Sequence, residues 1–280
     1  MSSSIIIPQF AQIPRGFSKI FKIIPKEDIE LADVELQLYD DITYQGKYLN
    51  AIDLRTFLYL SSILSANRKK AQLFKSLDDL DIEKYSSDKY IVRVPTLKWN
   101  LRSSISSLSR FFDLTVRPEN VNTVFKSLSR LTDSYIQTST FRSKLISYTY
   151  DSLIFNPTFA SLFKANFKTH SLTPKFYPLT TVKMNVVKQL SKSNINKLVI
   201  YYYLCDNVDF KQKVIFPIPQ FSSLWLKGED NRKTRSFRKK FIKEALTEIG
   251  EISQDFKVKV DDMFITVIRV PDFINKQEKI

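Results

Sequence analysis

A cationic run at positions 227–243 offers the plainest chemistry in this sequence, since eight of its residues are Lys or Arg and two are acidic. At about 100° per residue, one side of a helix over positions 231–250 carries Phe237, Phe241, Ala245 and Ile249. The cations fall mainly on the other side. Such a helix buries one face in a core and offers the opposite face to phosphate groups.

The same run predicts individual contacts to DNA. In a major groove, Arg reads guanine through two hydrogen bonds, and base contacts come from the N-terminal part of the helix. Base contacts are therefore predicted for Arg232, Lys233, Arg235 and Lys239. Contacts to the DNA backbone are predicted for Lys240 and Lys243, and for Lys257 and Lys259 of the next strand. Arg238 is also predicted to contact DNA. The alternative is a solvated helix face beside a core.

A second, weaker set of polar residues lies in the first half of the chain. A helix predicted from Pro118 carries an apolar stripe, and Asn122, Thr123, Lys126 and Arg130 fall outside that stripe. Asn pairs with adenine through two hydrogen bonds, and Thr binds phosphate. Arg142 and Lys144 are predicted at the tip of a hairpin over positions 134–155. An ordinary polar helix face is an equally good interpretation of this set.

The elements that must position these residues follow from the apolar periodicity. The second half predicts a helix over 194–206, a strand over 213–217, helices over 219–227 and 231–250, and a hairpin over 256–270. The first half predicts a helix over 49–66 capped by Asn50 or Asp53, a strand over 90–95, helices over 96–112 and 117–131, and the hairpin. Helix, strand, helix, helix and hairpin thus occur twice.

This repeated order predicts an α+β fold of tandem winged-helix domains joined by a linker. The predicted divisions are an N-terminal arm and acidic segment at 1–44, a first domain at 45–156, a linker at 157–190 and a second domain at 191–275. An acidic insert at 75–88 has no counterpart in the second half.

Charge and composition narrow the class of partner. Lys and Arg total 43 against 29 acids, and the formal net charge of +14 favours a polyanion, most often nucleic acid. A membrane surface, or a merely basic protein, are the alternatives. No apolar run approaches the roughly 20 residues of a membrane span. The lone Cys205 excludes an internal disulfide and suits a reducing compartment, so a cytoplasmic protein is expected.

The sequence offers no constellation for catalysis, so a protein that is not an enzyme is predicted. His170 is the only histidine and lies in the predicted linker, whereas zinc sites need several Cys and His at close spacing. Neither GxxxxGK[ST] nor GxGxxG occurs, so no phosphate-binding glycine loop is recognisable. No metal and no cofactor are predicted.

The chain resembles the plasmid replication initiator (Rep) proteins of the two-winged-helix, iteron-binding type. The resemblance lies in LSKSNINKLVIYYYL and in the run from PQFSSLWLKG through RSFRKKFIKEALTEIGEISQDFKVKV, with a looser match from YLNAIDLRTFLYL onward. It implies binding to direct repeats in a plasmid origin, opening of that origin, and recruitment of a host initiator and helicase. It also implies a homodimer paired through the first domain that represses its own gene.

Two other classes of protein remain open at this point. A two-winged-helix transcription regulator without a replication role predicts an inverted repeat as target, whereas an initiator predicts tandem direct repeats. A DNA-processing enzyme, such as a nickase or primase-like protein, predicts metal-dependent cleavage or nucleotide incorporation.

Overall fold

The structure is a computed structural model that describes residues 9–24, 33–39, 42–71, 81–85, 89–93, 97–114, 118–137, 142–148, 152–155, 179–226, 232–261 and 263–270. The fold is α+β, with helices and small antiparallel sheets. The helices are α1 (Ala51–Ala71), α2 (Leu101–Phe111), α3 (Pro118–Thr132), α4 (Met184–Ser193), α5 (Lys197–Asn207) and α6 (Arg232–Ser253). Two short 3-10 helices cover Phe17–Ile20 and Ile218–Leu224.

The strands form five small sheets within the described ranges. In chain order they are β1 (Phe10–Pro14), β2 (Asp33–Tyr39), β3 (Ile42–Lys47), β4 (Asp81–Tyr85), β5 (Lys89–Arg93), β6 (Leu97–Asn100), β7 (Tyr135–Gln137), β8 (Arg142–Lys144), β9 (Ile146–Tyr148), β10 (Ser152–Phe155), β11 (Leu179–Lys183), β12 (Lys213–Pro217), β13 (Phe256–Val260) and β14 (Phe264–Arg269). Their orders are β1-β11, β2-β3-β7-β8, β4-β5, β6-β10-β9 and β12-β14-β13.

Two of these sheets share one topology. In β6-β10-β9 and in β12-β14-β13, the strand that precedes the helices pairs with the second strand of the closing hairpin. That second strand is therefore central in both sheets. The two halves of the chain thus repeat an arrangement of strands as well as an order of elements.

Residues 9–24, here called the N-terminal strap, belong to the predicted N-terminal arm and are packed into the fold. β1 pairs along its whole length with β11, and Ala11, Ile13 and Phe17 are fully buried. At Gly16 the backbone adopts φ 89°, and a Cβ there would lie 2.1 Å from the carbonyl oxygen of Leu38. The apolar side chains of the strap explain its position, because burying them removes a large apolar area from water.

The strap is also anchored by one buried carboxylate. Asp206 accepts hydrogen bonds from the backbone N–H groups of Gly16 and Ser18, at 3.1 and 3.0 Å, and from the Thr180 hydroxyl at 2.8 Å. Hydrogen bonds from these three donors to one carboxylate offset the cost of burying it. The strap, β11 and α5 are therefore held together at a single point.

The hydrophobic core runs through both halves of the chain. Phe21 packs against Phe57 of α1 and against Tyr202 of α5, with ring centroids 5.6 and 5.8 Å apart. Helix α1 also contacts α4. The end of the predicted linker is structured, since residues 179–190 belong to β11 and α4 and include the fully buried Val182 and Val187.

Helix α1 begins with reciprocal caps at Asn50 and Asp53. The Asn50 side chain accepts from the N–H groups of Ile52 and Asp53, and the Asp53 carboxylate accepts from the Asn50 N–H. Burial raises the pKa of Asp53, and hydrogen bonds from Arg130 oppose that shift. Both residues named as candidate caps in the sequence therefore take part.

The first half departs from its predicted elements in two places. Residues 97–100 form β6 rather than the start of the helix predicted over 96–112, and it is β6 that pairs with β10. The predicted strand over 90–95 corresponds to β5, which pairs only with β4 among the described strands. The hairpin predicted over 134–155 is wrong, because β7 pairs with β8, and β9 with β10.

The second half follows its predicted elements closely, and Ile218–Leu224 is the main difference because it forms a 3-10 helix. Pro219 at its start favours a tight turn. Among the described helices, none has an apolar stretch of the length and hydropathy that crossing a membrane requires. Most of the acidic insert at 75–88, the linker residues 157–178 with His170, and residues 271–275 lie outside the described residues.

Candidate nucleic-acid interface

Helix α6 has a sharply defined buried stripe. Its buried residues are Arg238, Phe241, Ile242, Ala245, Leu246, Ile249 and Ser253. They recur at intervals of mostly three or four residues, as expected for one face of a helix. The remaining sides of the helix are left for solvent, most completely in its first two turns.

The exposed cations of α6 lie on two neighbouring flanks. One flank holds Arg232, Arg235, Lys239 and Lys243, spaced by three or four residues. The other flank holds Lys233, Phe237, Lys240 and Glu244, with the same spacing. The predicted cations are exposed, apart from the half-buried Lys243 and the buried Arg238. The structure therefore brings six of the predicted contact residues together on one helix.

The electrostatics of this region favour an anion. The first turn of α6 contains no acidic residue, although acids are the residues that stabilise a helix N-terminus and cations there oppose the macrodipole, by about 0.3–1 kcal/mol each. The Lys240 amine lies 3.8 Å from the Glu244 carboxylate, and both side chains are largely exposed. A bound polyanion would relieve the repulsion among these cations.

Arg238 does not belong to the exposed set, so its predicted contact with DNA is not supported. The side chain is buried, and its guanidinium carbon lies 5.9 Å from the centre of the Trp225 ring. The Trp225 ring also meets Phe241 edge-on, with centroids 5.8 Å apart. Arg238 thus helps to pack α6 onto the residue that follows the second 3-10 helix.

The N-terminal strap is hydrogen-bonded to the segment on which α6 packs, residues 223–226. The sequence alone does not predict this contact. The Ile23 N–H donates to the Leu224 carbonyl at 2.7 Å, and the Leu226 N–H donates to the Ile23 carbonyl at 3.1 Å. The Lys22 amine donates to the Ser223 carbonyl at 2.8 Å, and burial lowers the pKa of Lys22. The strap is therefore part of the support beneath α6.

The hairpin β13–β14 presents its cations on another surface. Val258 faces α6, since its side chain lies 3.7 Å from where a Cβ on Gly250 would be. Lys257 and Lys259 alternate with Val258 and are exposed on the opposite face of the sheet. Lys213 of β12 lies on that face too, because Lys213 and Lys257 both pair with Ile268 of β14. Lys257 and Lys259 are thus separated from the cations of α6.

The predicted set in the first half is divided by the structure. Asn122 and Lys126 are exposed on α3. The Thr123 hydroxyl donates to the Glu119 carbonyl at 2.8 Å. Arg130 binds the buried carboxylate of Asp53, with Nε–Oδ2 at 2.9 Å and Nη2–Oδ1 at 2.8 Å. The guanidinium of Arg130 is therefore engaged in an ion pair within the protein, and Arg130 is not among the proposed DNA contacts.

Arg142 and Lys144 do not lie at a hairpin tip, which corrects the sequence prediction. Both belong to β8, and both cations lie over the Tyr135 ring, 4.7 and 5.7 Å from its centre. Arg142 shares a shallow cleft with three carboxylate residues, Asp33, Glu35 and Asp133. Carboxylates so close make this cleft unfavourable for phosphate.

Within the described ranges, no cluster of three or more His, Cys, Asp or Glu has the arrangement of a metal site. Cys205 is buried, and burial raises the pKa of its thiol to about 12. That thiol is protonated at neutral pH and is a poor nucleophile.

No protein-family model and no curated protein matches this sequence. The solved structures that are similar to it in shape include two of RctB. A selenomethionine derivative of domains 2 and 3 of RctB is 10% identical with a TM-score of 0.49, over 92% of this chain and 97% of that one. A second structure of RctB domains 2–3 is 10% identical with a TM-score of 0.47, over 91% and 96%.

Proposed function

We propose that this chain is a sequence-specific double-stranded DNA-binding protein that initiates plasmid replication. It would bind origin repeats (iterons), promote origin opening and recruit host replication proteins, and it would repress its own gene. The observation that carries the DNA-binding part is the pair of exposed flanks on α6, whose cations surround a helix N-terminus without a single acid in the first turn. The replication role rests on the sequence resemblance to Rep proteins.

Both halves of the chain are proposed to be winged-helix units. In the second half, α5, β12, the 3-10 helix Ile218–Leu224, α6 and the β13–β14 hairpin follow one another. In the first half, α1, β6, α2, α3 and the β9–β10 hairpin follow in the same order. The shared strand order of their three-stranded sheets supports this assignment. Helix α6 would then be the recognition helix and α3 its counterpart.

The proposed contacts follow from exposure. Base edges would be read from the exposed N-terminal half of α6, by Arg232, Lys233, Arg235 and Lys239. Phosphates would be bound by Lys240 and Lys243, by Lys257 and Lys259 of the hairpin, and by Asn122 and Lys126 of α3. A major groove about 12 Å wide admits one α-helix. The four base contacts from α6 therefore set specificity, and the phosphate contacts add affinity.

The remaining parts of the proposal concern partners. Direct repeats in the origin, a host initiator and a host helicase would be the partners, and a homodimer would form through the first domain. The protein itself would act in the cytoplasm, without enzymatic activity and without a cofactor. Origin opening in this scheme is driven by binding energy and by the host proteins.

Selection of bound fragments from the DNA that encodes the protein tests this function. Salt of about 150 mM weakens nonspecific phosphate binding, so sequence preference dominates recovery. We expect tandem direct repeats near the gene itself. Recovery of one inverted repeat would instead support the transcription regulator, and recovery without any sequence preference would overturn specific binding.

Incubation with supercoiled plasmid DNA and Mg²⁺ or Mn²⁺ tests the enzymatic alternative. Intact supercoiled DNA after incubation is the expected result. Nicked circles would identify a DNA-processing enzyme and overturn this part of the proposal.

A further inference from the structure

Phe237 is a large apolar side chain set among the cations of α6. It is 63% exposed, although its neighbours on the same flank are Lys233 and Lys240. It lies outside the buried stripe, which begins at Arg238. The core therefore does not account for this phenyl ring.

The orientation of the ring is constrained by an aromatic ladder. Phe237 stacks on Phe241 with centroids 6.3 Å apart and planes inclined by 25°. Phe241 in turn meets the buried Trp225 edge-on at 5.8 Å. A ring held in this way loses little conformational freedom when a partner covers it.

The charges around Phe237 restrict the partner. A second copy of this chain would bring a matching set of cations against Lys233 and Lys240, and this repulsion disfavours self-association at α6. A nucleic acid supplies the complementary charge on both sides of the ring. The ring would then lie in the groove while its neighbours lie near phosphates.

The groove offers one group that suits a phenyl ring. The ring can neither donate nor accept a conventional hydrogen bond, and among the base edges of the major groove the C5-methyl group of thymine is the apolar one. We propose that Phe237 is a specificity-determining residue that packs on thymine methyl groups of the bound site. This inference rests on the proposed binding of DNA by α6.

Replacing thymine by uracil tests the contact without altering any hydrogen-bonding group of the base. Wild-type protein first selects sequences from a random duplex pool, and the recovered duplex is then synthesised with uracil at each thymine in turn. Burying a methyl group gives about a fourfold change in affinity. We expect uracil at one or two positions to weaken wild-type binding by about that factor.

The variants Phe237→Ala and Phe237→Leu complete the test. Phe237→Ala should bind the thymine duplex more weakly and should no longer distinguish uracil from thymine, whereas Phe237→Leu should retain part of the discrimination. Ile215→Ala is the matched control, because Ile215 is a similarly exposed apolar residue, 57% exposed, on β12. This control should discriminate like wild type. Circular dichroism establishes that each variant is folded.

The outcomes separate this inference from the proposed function. If replacing thymine by uracil in the selected sequence changes the affinity of wild type and of Phe237→Ala by the same factor, the role of Phe237 is overturned and specific binding stays intact. A pool from which no sequence is enriched would overturn both.

Discussion

The guanidinium of Arg130 binds the buried carboxylate of Asp53, and its Nε donates to Oδ1 at 3.0 Å and to Oδ2 at 2.9 Å. The Asp53 side chain has no exposure, whereas that of Arg130 is 34% exposed. The pair joins α1 to α3 and stabilises the start of α1. A cation that the sequence assigns to DNA binding thus serves the fold.

Removing Arg130 should therefore unfold the protein more easily. Arg130→Met leaves a buried carboxylate without its cation, and we expect a loss of about 3–5 kcal/mol in the free energy of unfolding. Urea denaturation measures this loss. Lys126→Met on the same helix removes an exposed cation and should change stability by less than about 0.5 kcal/mol. Stability equal to wild type, together with lost DNA affinity, would restore Arg130 to the DNA contacts.

Arg235→Ala combined with Lys239→Ala should abolish specific binding and leave the fold intact. Both side chains are exposed on one flank of α6, and a good bidentate base contact is worth about 1–3 kcal/mol. Fluorescence anisotropy with the selected duplex measures the loss. Lys47→Ala with Arg110→Ala removes the same charge from exposed positions elsewhere. If the two double variants lose affinity equally, only net charge matters and α6 is not the reading element.

Lys257→Ala combined with Lys259→Ala should weaken binding to all sequences to a similar degree. These lysines lie on the sheet face away from α6 and would contact phosphate alone. Loss of two phosphate contacts should make the negative slope of log K against log salt shallower by about 2. Titrations at several salt concentrations measure it. A changed sequence preference with an unchanged slope would contradict this role.

Gly16→Ala should destabilise the protein by more than about 2 kcal/mol, because the new Cβ adds backbone strain at positive φ to a steric clash. The clash is with the Leu38 carbonyl oxygen, 2.1 Å from that Cβ. Gly250→Ala is the matched control. Its Cβ would be 3.7 Å from Val258, an ordinary contact, and Ala is the better helix former by about 1 kcal/mol. Thermal unfolding of both variants separates the effects, and a harmless Gly16→Ala would show that the strap is not packed in solution.

Cys205 should resist alkylation in the folded protein. Burial raises its pKa to about 12, so at pH 8 the thiol is protonated as well as shielded. Mass spectrometry after treatment with iodoacetamide should find no adduct without denaturant and a complete adduct in guanidinium. Modification at the rate of a free thiol in native buffer would mean that the core around α5 opens readily.

Local periodicity was sufficient to predict α3, α5, α6, β12 and the β13–β14 hairpin, because each carries its own apolar pattern. The apolar side predicted through Phe237 is nevertheless wrong at that residue, because Phe237 is exposed and the buried stripe begins at Arg238. The sequence does contain a signal for the observed buried stripe, since Arg238, Phe241 and Ile242 begin a regular series that includes Ala245 and Ile249. Charge alone predicts Arg238 on the solvent side of the helix, whereas the structure buries it within this stripe.

Other features have no local signal at all. The pairing of β1 with β11 joins segments that are distant in sequence, so neither strand by itself indicates its partner. The ion pair between Asp53 and Arg130 likewise spans 77 residues. Burial of a charged side chain depends on a partner that only the folded chain supplies.

The N-terminal strap has a consequence for how the protein is made. The Ser18 N–H donates to the carboxylate of Asp206, which is synthesised 188 residues after Ser18. The apolar strap therefore lacks its partners until β11 and α5 have been synthesised. Contacts between such distant segments slow folding and expose apolar surface in the meantime. The support beneath α6 can therefore form only after β11 and α5 have been synthesised.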